Sequence, residues 1–429
     1  MTKLASHPLP NQTVLSAEVP GVPNAHGSQS VTAVIVDASC FSLPYDYSLC
    51  DALGQQGHRV VLARSEFRAS QWKRPASGFE VWSHFYHRSN RAQPGPMSRA
   101  VGKMGKAAEH MVDMRKFVHR LRELRPDAIH FQWLPAPLLD RLYLQELSAI
   151  APLVLTVHNT DPHGTVIQRI HQKLGWASVF RHFQAVIVHS EFSRRQILEK
   201  NWISAEKVHV IPHGVLNYYC AFDPDESAKQ SSSHVVMFFG CVEPYKGLDV
   251  LIRAFALLPA DLRRQTQLLV AGTPNMDARP LRQQARDLGI ESQVLWRLHY
   301  IAEEEVPRLF RSATVVVLPY HSIDQSGVLM TAVAFGKAIV ASGIGGIPEV
   351  IQDGVHGILV NPGDPDGLAA ALRDVLTDPD RRRSMERATT HLASTKLSWE
   401  TSAHKTADVY RQISAVAAGG KIGPAVPTK

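Results

Sequence analysis

The amino-acid sequence predicts an α/β protein made of two Rossmann-like parallel-sheet domains that face each other across a cleft. Three observations carry that expectation. Short apolar runs such as Val31 to Val36 and Val235 to Phe239 have the continuous hydrophobicity of strands buried on both faces. Helical periodicities lie between successive runs, and the βαβ alternation they make requires a parallel sheet covered by helices. The alternation stops at a polar stretch, Asn217 to His234, and then starts again. At 429 residues the chain is long for one core and suits two.

In the first half, the strand Val31 to Val36 is followed by a loop from Asp37 to Asp46, a helical stretch from Tyr47 to Gly57 and a strand at Val60 to Leu62. An amphipathic helix carries Val101, Met104, Ala108, Met111, Val118 and Leu121 on one face and stops before Pro126. Strands follow at Ile129 to Trp133, Leu153 to Val157, Ala185 to His189 and Val208 to Ile211, the last leading into Pro212-His213-Gly214. The stretch Asn217 to His234 holds Asp-Pro-Asp-Glu-Ser and three consecutive serines, the composition of a linker. In the second half, strands are expected at Val235 to Phe239, Gln267 to Ala271, Val294 to Trp296, Val315 to Leu318 and Ala338 to Ala341. Residues 1–30, rich in Pro, Ser, Asn and Gly, read as a disordered leader, and residues 413–429, small and Gly-rich, as a disordered tail. The domains are then 31–216 and 235–395, with the linker at 217–234.

Composition narrows the class. No apolar run reaches the roughly 18 residues that suggest a membrane span, and no basic segment precedes an apolar core at the amino end, so neither a spanning helix nor a secretory signal is expected. Cys40, Cys50, Cys220 and Cys241 lack C-x-x-C spacing and are too few for a disulfide framework, which fits a reducing cytoplasm. The net charge of +7 is uneven: residues 51–125 hold 15 Lys and Arg against 6 Asp and Glu. Such a segment attracts anionic lipid or phosphorylated substrates, or is an ordinary solvated basic face. Nucleic acid is not expected, because no zinc-finger or RNA-binding signature accompanies the charge.

The most informative stretch is Phe-Gly-Cys-Val-Glu-Pro-Tyr-Lys-Gly at 239–247, between an apolar strand and a helix carrying Leu248, Leu251, Ile252 and Phe255. Gly240 lets the backbone approach a ligand, the following helix turns its N–H groups and positive dipole end toward an anion, and Lys246 adds a mobile charge. The segment taken alone is equally a tight βα turn with a solvated lysine.

With its neighbours, the segment resembles the family 4 glycosyltransferases over roughly residues 31–412. The likeness is carried by Phe-Phe-Gly-x-x-x-Pro-Tyr-Lys-Gly at 238–247, Pro-Tyr at 319–320, Gln-Ser-Gly-Val at 325–328, Gly-Gly-Ile-Pro-Glu at 345–349, and Asp353-Gly354 with Gly357-Ile358-Leu359-Val360. In the first half the matching strings are Pro-Tyr-Asp at 44–46, Thr-Val-His-Asn at 156–159 and Val-Ile-Pro-His-Gly at 210–214. The resemblance implies the two-domain GT-B fold and transfer of sugar from a nucleotide diphosphate donor with retention. It also implies that Leu-Ser-Trp-Glu at 397–400 with Val409-Tyr410 belongs to a helix, 396–412, that returns to the first domain. Lys246 and His158 become the candidate catalytic residues, the latter reaching across the cleft to the donor sugar. Gly240, Lys246, Asp324, Gln325, Ser326, Gly327, Val328 and Thr331 become the candidate donor site. Tyr45, Asp46 and His163 are candidates on the acceptor side.

The chemistry of the residue types agrees. Breaking a sugar–phosphate bond puts negative charge on the departing diphosphate, which fixed positive charge and oriented N–H donors stabilise. Lys246 and the Ser326-Gly327-Val328 turn supply both, or that turn is a helix cap alone. His158 accepts from a hydroxyl when neutral and supports a phosphate when charged. Three departures stand out. The glutamate pair of many family members, with seven residues between them, is replaced by Ile323 and Thr331, which leaves the ribose contact open. The first phosphate loop lacks the usual arginine. Asp324 either takes over part of the carboxylate function or caps the following turn. No metal-holding Asp-x-Asp or H-E-x-x-H is present, and a lysine-based diphosphate site needs neither metal nor cofactor.

The function these readings imply is transfer of a hexose from a nucleotide-sugar donor to a glycan or polyprenyl-diphosphate-linked glycan acceptor. The setting would be exopolysaccharide or cell-surface glycan synthesis, in the cytoplasm or peripherally on the inner face of the plasma membrane. The alternatives are a nucleotide-sugar 2-epimerase of the same fold and a non-catalytic nucleotide-sugar-binding protein.

Overall fold

The structure, a computed structural model, describes residues 29–66, 76–90, 99–160, 176, 178–222 and 233–419. The expected leader lies almost wholly outside these residues, as do the middle of the linker, His163 and the last ten residues.

The first sheet contains β1 (Thr32–Asp37), β2 (Arg59–Ser65), β3 (Glu80–Phe85), β4 (Ala128–Phe131), β5 (Leu153–Thr156), β6 (Ala185–Val188) and β7 (Val208–Val210) in the order β3-β2-β1-β4-β5-β6-β7. The second contains β8 (His234–Phe239), β9 (Thr266–Ala271), β10 (Val294–Arg297), β11 (Val315–Leu318), β12 (Ile339–Ser342) and β13 (Gly357–Val360) in the order β10-β9-β8-β11-β12-β13. Every pairing is parallel. Strands such as Val315–Leu318 are buried at every position, which is why the sequence shows them as unbroken apolar runs. In each sheet the strand order reverses once, between β1 and β4 and between β8 and β11. The crevice at such a reversal, beyond the carboxyl ends of the strands, is where open α/β sheets hold ligands.

Several boundaries differ from expectation. The first helix runs Leu43–Gln55, so Leu43 to Asp46 are helical and not loop; Pro44 sits in its first turn, where a missing N–H costs nothing. The strands β3 and β13 and a helix at Pro137–Ile150 were not foreseen. β3 and β13 are edge strands whose residues are only partly covered, so the apolar signal is broken. The linker begins as packed structure: Asn217–Phe222 forms a 3-10 helix with Tyr218 buried and its hydroxyl donating to Glu303, and His234 already belongs to β8. The expected tail is also corrected, since the last helix, Trp399–Gly419, continues through 413–419.

That helix lies on the first domain. Trp399 Nε1 donates to Val215 O at 2.7 Å, Ser402 Oγ to Pro212 O at 2.9 Å and Ser414 Oγ to Asp127 O at 2.7 Å. A side chain at Gly214 would come within 2.5 Å of the Trp399 ring, so a residue without Cβ is needed there. Deeper in, Tyr410 OH meets His130 Nδ1 at 2.6 Å, and His130 Nε2 meets Thr156 Oγ1 at 2.7 Å. Tyr410→Phe would leave a fully buried ring nitrogen without its partner, a defect that costs about 1–3 kcal/mol. We expect the urea midpoint to fall with an unchanged m-value; an unchanged midpoint would mean the contact holds nothing.

Candidate active site

The loop after β8 narrows on Lys246. Gly240 has φ +100°, and a Cβ there would stand 3.3 Å from Lys246 Nζ and 3.1 Å from Val328 Cγ2. Pro244–Lys246 form a 3-10 turn that ends at Gly247, φ +64°, where a Cβ would meet Pro319 O at 1.9 Å. His321 N donates to Tyr245 O at 2.7 Å. The loops after β8 and β11 are thus clasped together at the point where the strand order reverses. Lys246 is 9 % exposed. Its amine makes no ion pair with a described residue, and burial pulls its pKa below the ordinary lysine value, with Cys241 and Glu243 opposing weakly.

On the other loop, Ser326 caps the helix Gly327–Ala334: its Oγ accepts from Leu329 N at 3.2 Å and meets Tyr320 OH at 3.3 Å. The Ser326 hydroxyl is therefore used by the cap, while the N–H groups of Gly327 and Val328 lie in the first turn, ahead of any intrahelical partner. Thr331 is buried and donates back to Gly327 O at 2.9 Å, so it does not replace a ribose-binding carboxylate. Gln325 keeps a buried Oε1 with no hydrogen-bond partner among the described residues. Asp324 answers neither expectation. Its Oδ2 accepts from both the backbone N and the Oγ1 of Thr160 in the first domain, the latter at 2.7 Å. A second carboxylate does the same: Glu349, from the Gly-Gly-Ile-Pro-Glu string, accepts from Glu191 N and Phe192 N at 2.7 Å each, at the amino end of the helix Glu191–Glu199. Two carboxylates of one domain are thus seated on N–H donors of the other, and a helix amino end favours such a charge.

The strands of the first sheet run into polar residues at their carboxyl ends: Asp37, Gln132, His158, His189 and His213. His158 stacks on Trp133, centroids 4.9 Å apart, and meets Tyr45 edge-on at 5.0 Å. Its Nδ1 lies 3.3 Å from His189 Nε2 and its Nε2 3.1 Å from the Gln132 amide; His189 Nδ1 lies 3.0 Å from Ile211 O. Burial, then the other histidines, drives the His158 pKa well below the ordinary value, so the ring is neutral. Tyr45 and Asp46 are corrected from acceptor contacts to buried supports. Tyr45, 3 % exposed, is packed among His158, His189, His213 and Trp399. Asp46, 0 % exposed, shares Ser42 with Asp37, and burial followed by its neighbour's charge raises its pKa well above the carboxylate range.

Beside His158 opens a cavity of about 460 Å³, walled by Phe41, Trp133, Pro137, Phe180 and Trp202. Another, about 500 Å³, lies at the far ends of β8 and β9 around Arg264 and Thr266 and contains none of the expected site residues. Among the described residues no group of three or more His, Cys, Asp or Glu is placed to hold a metal ion, and no helix is long and apolar enough to cross a membrane.

Two parallel-sheet domains, one with a lysine loop and a helix amino end at its strand-order reversal and the other with a polar strand-end cluster, define a protein of the GT-B class. Solved structures of similar fold include sucrose-phosphate synthase from Thermosynechococcus elongatus (TM-score 0.66, 18% identity, 90% of this chain and 100% of that one) and Anabaena Alr3699/HepE in complex with UDP-glucose (TM-score 0.61, 19% identity, 91% and 100%). Residues 45–215 match the family described as Glycosyltransferase Family 4, and residues 221–391 match Glycosyl transferases group 1. Together these spans take in most of the chain, which belongs to the family 4 glycosyltransferases. A curated relative, D-inositol 3-phosphate glycosyltransferase of Streptomyces avermitilis, is 36% identical over 183 residues, 41% of this chain and 39% of the relative. The chain spans about two fifths of the length of the first such relatives.

The histidine cluster makes stability depend on pH. Below the ordinary value of 6.5 the unfolded chain takes up protons that burial denies His189 until about pH 4, and His130 and His213 until about 3. The unfolded state then binds more protons, so stability falls as pH falls. Asp37 and Asp46, whose pKa values burial raises, act in the opposite sense, but they are two groups against four rings with His158. We expect urea-derived stability to decline steadily from about pH 6.5 to 4.5, each histidine contributing on the order of 1 kcal/mol per pH unit. A flat or rising curve would show that the rings are charged in the folded protein.

Proposed function

We propose that the protein transfers a hexose from a nucleotide diphosphate donor to a hydroxyl of an acceptor, with retention. The observation that carries this is Lys246: a buried ammonium with no ion pair among the described residues, beside Gly240 and the first turn of Gly327–Ala334. A buried charge left without a counter-ion is costly, and a diphosphate is the anion that this lysine and the N–H groups of Gly327 and Val328 would complete. As the sugar–phosphate bond breaks, the same donors stabilise the charge on the leaving oxygen. That oxygen takes the acceptor's proton on the same face, so no separate base is required. His158, neutral and with both ring nitrogens engaged by His189 and Gln132, acts by orienting Gln132, and Gln325 Oε1 offers an acceptor to a hydroxyl of the donor sugar. Asp324 and Glu349 hold the two domains in register across the cleft.

The fold shared with a protein solved with UDP-glucose makes UDP-sugars the first donors to test. The acceptor is assigned to a glycan, carried on a polyprenyl diphosphate at an anionic membrane; the helix Arg99–Leu124, with Arg115 and Lys116 exposed, is the surface assigned to that membrane. The curated relatives' name specifies a small phosphorylated polyol instead, so polysaccharide assembly stands on the sequence alone.

A thermal-shift screen of UDP-, GDP- and ADP-sugars tests the donor site, since a ligand at 100 times its Kd stabilises by about 2.7 kcal/mol. We expect Lys246→Ala to lower turnover by on the order of 10²- to 10³-fold with little change in stability; turnover within about threefold of the parent would remove the leaving-group role. Because Lys246 and backbone N–H groups supply the positive charge, turnover should survive exhaustive EDTA treatment. Activity lost to EDTA and restored by Mg²⁺ or Mn²⁺ would assign that charge to a metal instead.

A further inference from the structure

Gln132 follows β4 at the reversal point of the first sheet and is 0 % exposed. One end of its amide faces His158 Nε2 at 3.1 Å, and the other end has no hydrogen-bond partner among the described residues. Which end is which follows from a carbonyl two residues away in the network. The Ile211 oxygen can only accept, so His189 Nδ1, 3.0 Å from it, carries a proton. His189 is neutral, so its Nε2 bears a lone pair. His158 Nδ1, 3.3 Å from that lone pair, must carry a proton, and His158 Nε2 in turn bears a lone pair. With Oε1 on His158, as the amide stands, two acceptors would face each other. Half a turn of the amide places its NH₂ there, an exchange that leaves the shape of the side chain unchanged. The buried group left without a partner is then the Gln132 carbonyl oxygen.

Gln132 lines the cavity of about 460 Å³ beside His158, within the usual size of a small-molecule site. Phe41, Trp133, Phe180 and Trp202 make its apolar walls, Asn159 and Thr160 add polar groups, and none of the described residues that line it carries a charge. Flat apolar faces beside uncharged hydrogen-bonding groups suit a ring that is apolar on its C–H face and carries hydroxyls at its edge. A phosphate in the same place would give up its water for aromatic rings.

We propose that this cavity seats an uncharged hexose ring of the acceptor, one hydroxyl of which donates to the Gln132 carbonyl oxygen while a ring face lies on the aromatic wall. Gln132 is thereby a specificity-determining residue for the acceptor, oriented by Ile211 through His189 and His158. The proposal rests on the transferase reading above and gives its acceptor a chemical class. A lipid-linked glycan satisfies it with the diphosphate outside and the terminal neutral sugar inside. A small phosphorylated polyol does not.

The test is direct binding, with the full chain and saturating UDP, read by intrinsic tryptophan fluorescence and by saturation-transfer NMR. The probes are methyl glucoside, galactoside and mannoside as neutral ligands, and inositol phosphate and glucose 6-phosphate as charged ones. At least one neutral hexoside should bind saturably while the phosphorylated probes do not bind at the same concentrations. Gln132→Ala should weaken that hexoside by about tenfold or more, the scale of a hydrogen bond to a buried group. Phe41→Ala should weaken it several-fold, and since Phe41 is 67 % exposed this variant will fold even if Gln132→Ala does not. Phosphorylated probes binding as well as neutral ones, no hexoside binding, or hexoside binding indifferent to both substitutions would overturn the proposal. UDP binding, followed by thermal shift in the same samples, separates the two readings: its absence removes the transferase reading, while hexoside binding with the stated pattern stands without it.

Discussion

The buried ammonium of Lys246 is the constraint around which the second domain's binding face is arranged. A lysine so enclosed and without an ion-pair partner among the described residues destabilises the protein alone, and the surrounding loops are built to keep it there. Gly240 must lack a side chain because Lys246 Nζ and Val328 occupy the space, and Gly247 because Pro319 O does. The backbone bond between His321 and Tyr245 then fixes the loop after β8 against the loop after β11. Lys246 Nζ and Val328, in the first turn of Gly327–Ala334, both border Gly240.

The first domain answers with neutrality. Its strand ends place His158, His189 and His213 among Tyr45, Trp133 and Trp399, with His130 inside β4 against Tyr410, and burial strips the charge of all four. Neutral imidazoles have one donor and one acceptor each, so a chain of them passes a fixed polarity from a backbone carbonyl to the cleft. In this way the orientation of the Gln132 side chain at the cavity beside His158 is set by Ile211, which contributes no side-chain chemistry to it. One domain presents a buried cation and the other a row of neutral rings.

The carboxylates have been redistributed. With Ile323 and Thr331 where the family often has glutamates, Asp324 does not fill the vacancy, because Thr160 holds it across the domain boundary. Glu349 is held likewise by the amino end of Glu191–Glu199. These contacts couple the relative position of the domains to the loops that carry Gln325, Ser326 and Glu349, so domain arrangement and donor-site geometry are one variable.

Much of this was legible in the residues alone. Apolar runs buried on both faces announce parallel strands, and glycines beside a lysine between strand and helix announce an anion site; both follow from local geometry and need no distant partner. Edge strands such as Glu80–Phe85 escaped because half-exposed residues carry a broken pattern. Tyr45, Asp46, Asp324 and Gln132 could not be assigned from their neighbours in the chain. Their roles depend on which atom from another strand or domain comes within 3 Å or so, and hydrogen bonds at that range are specified by tertiary approach. The sequence by itself determined the two-sheet architecture and the lysine in the turn after β8. The tertiary structure decided which polar groups are consumed in holding the protein together and which, like the end of the Gln132 amide, find no partner among the described residues, because a hydrogen-bonding group is spent only when its partner arrives.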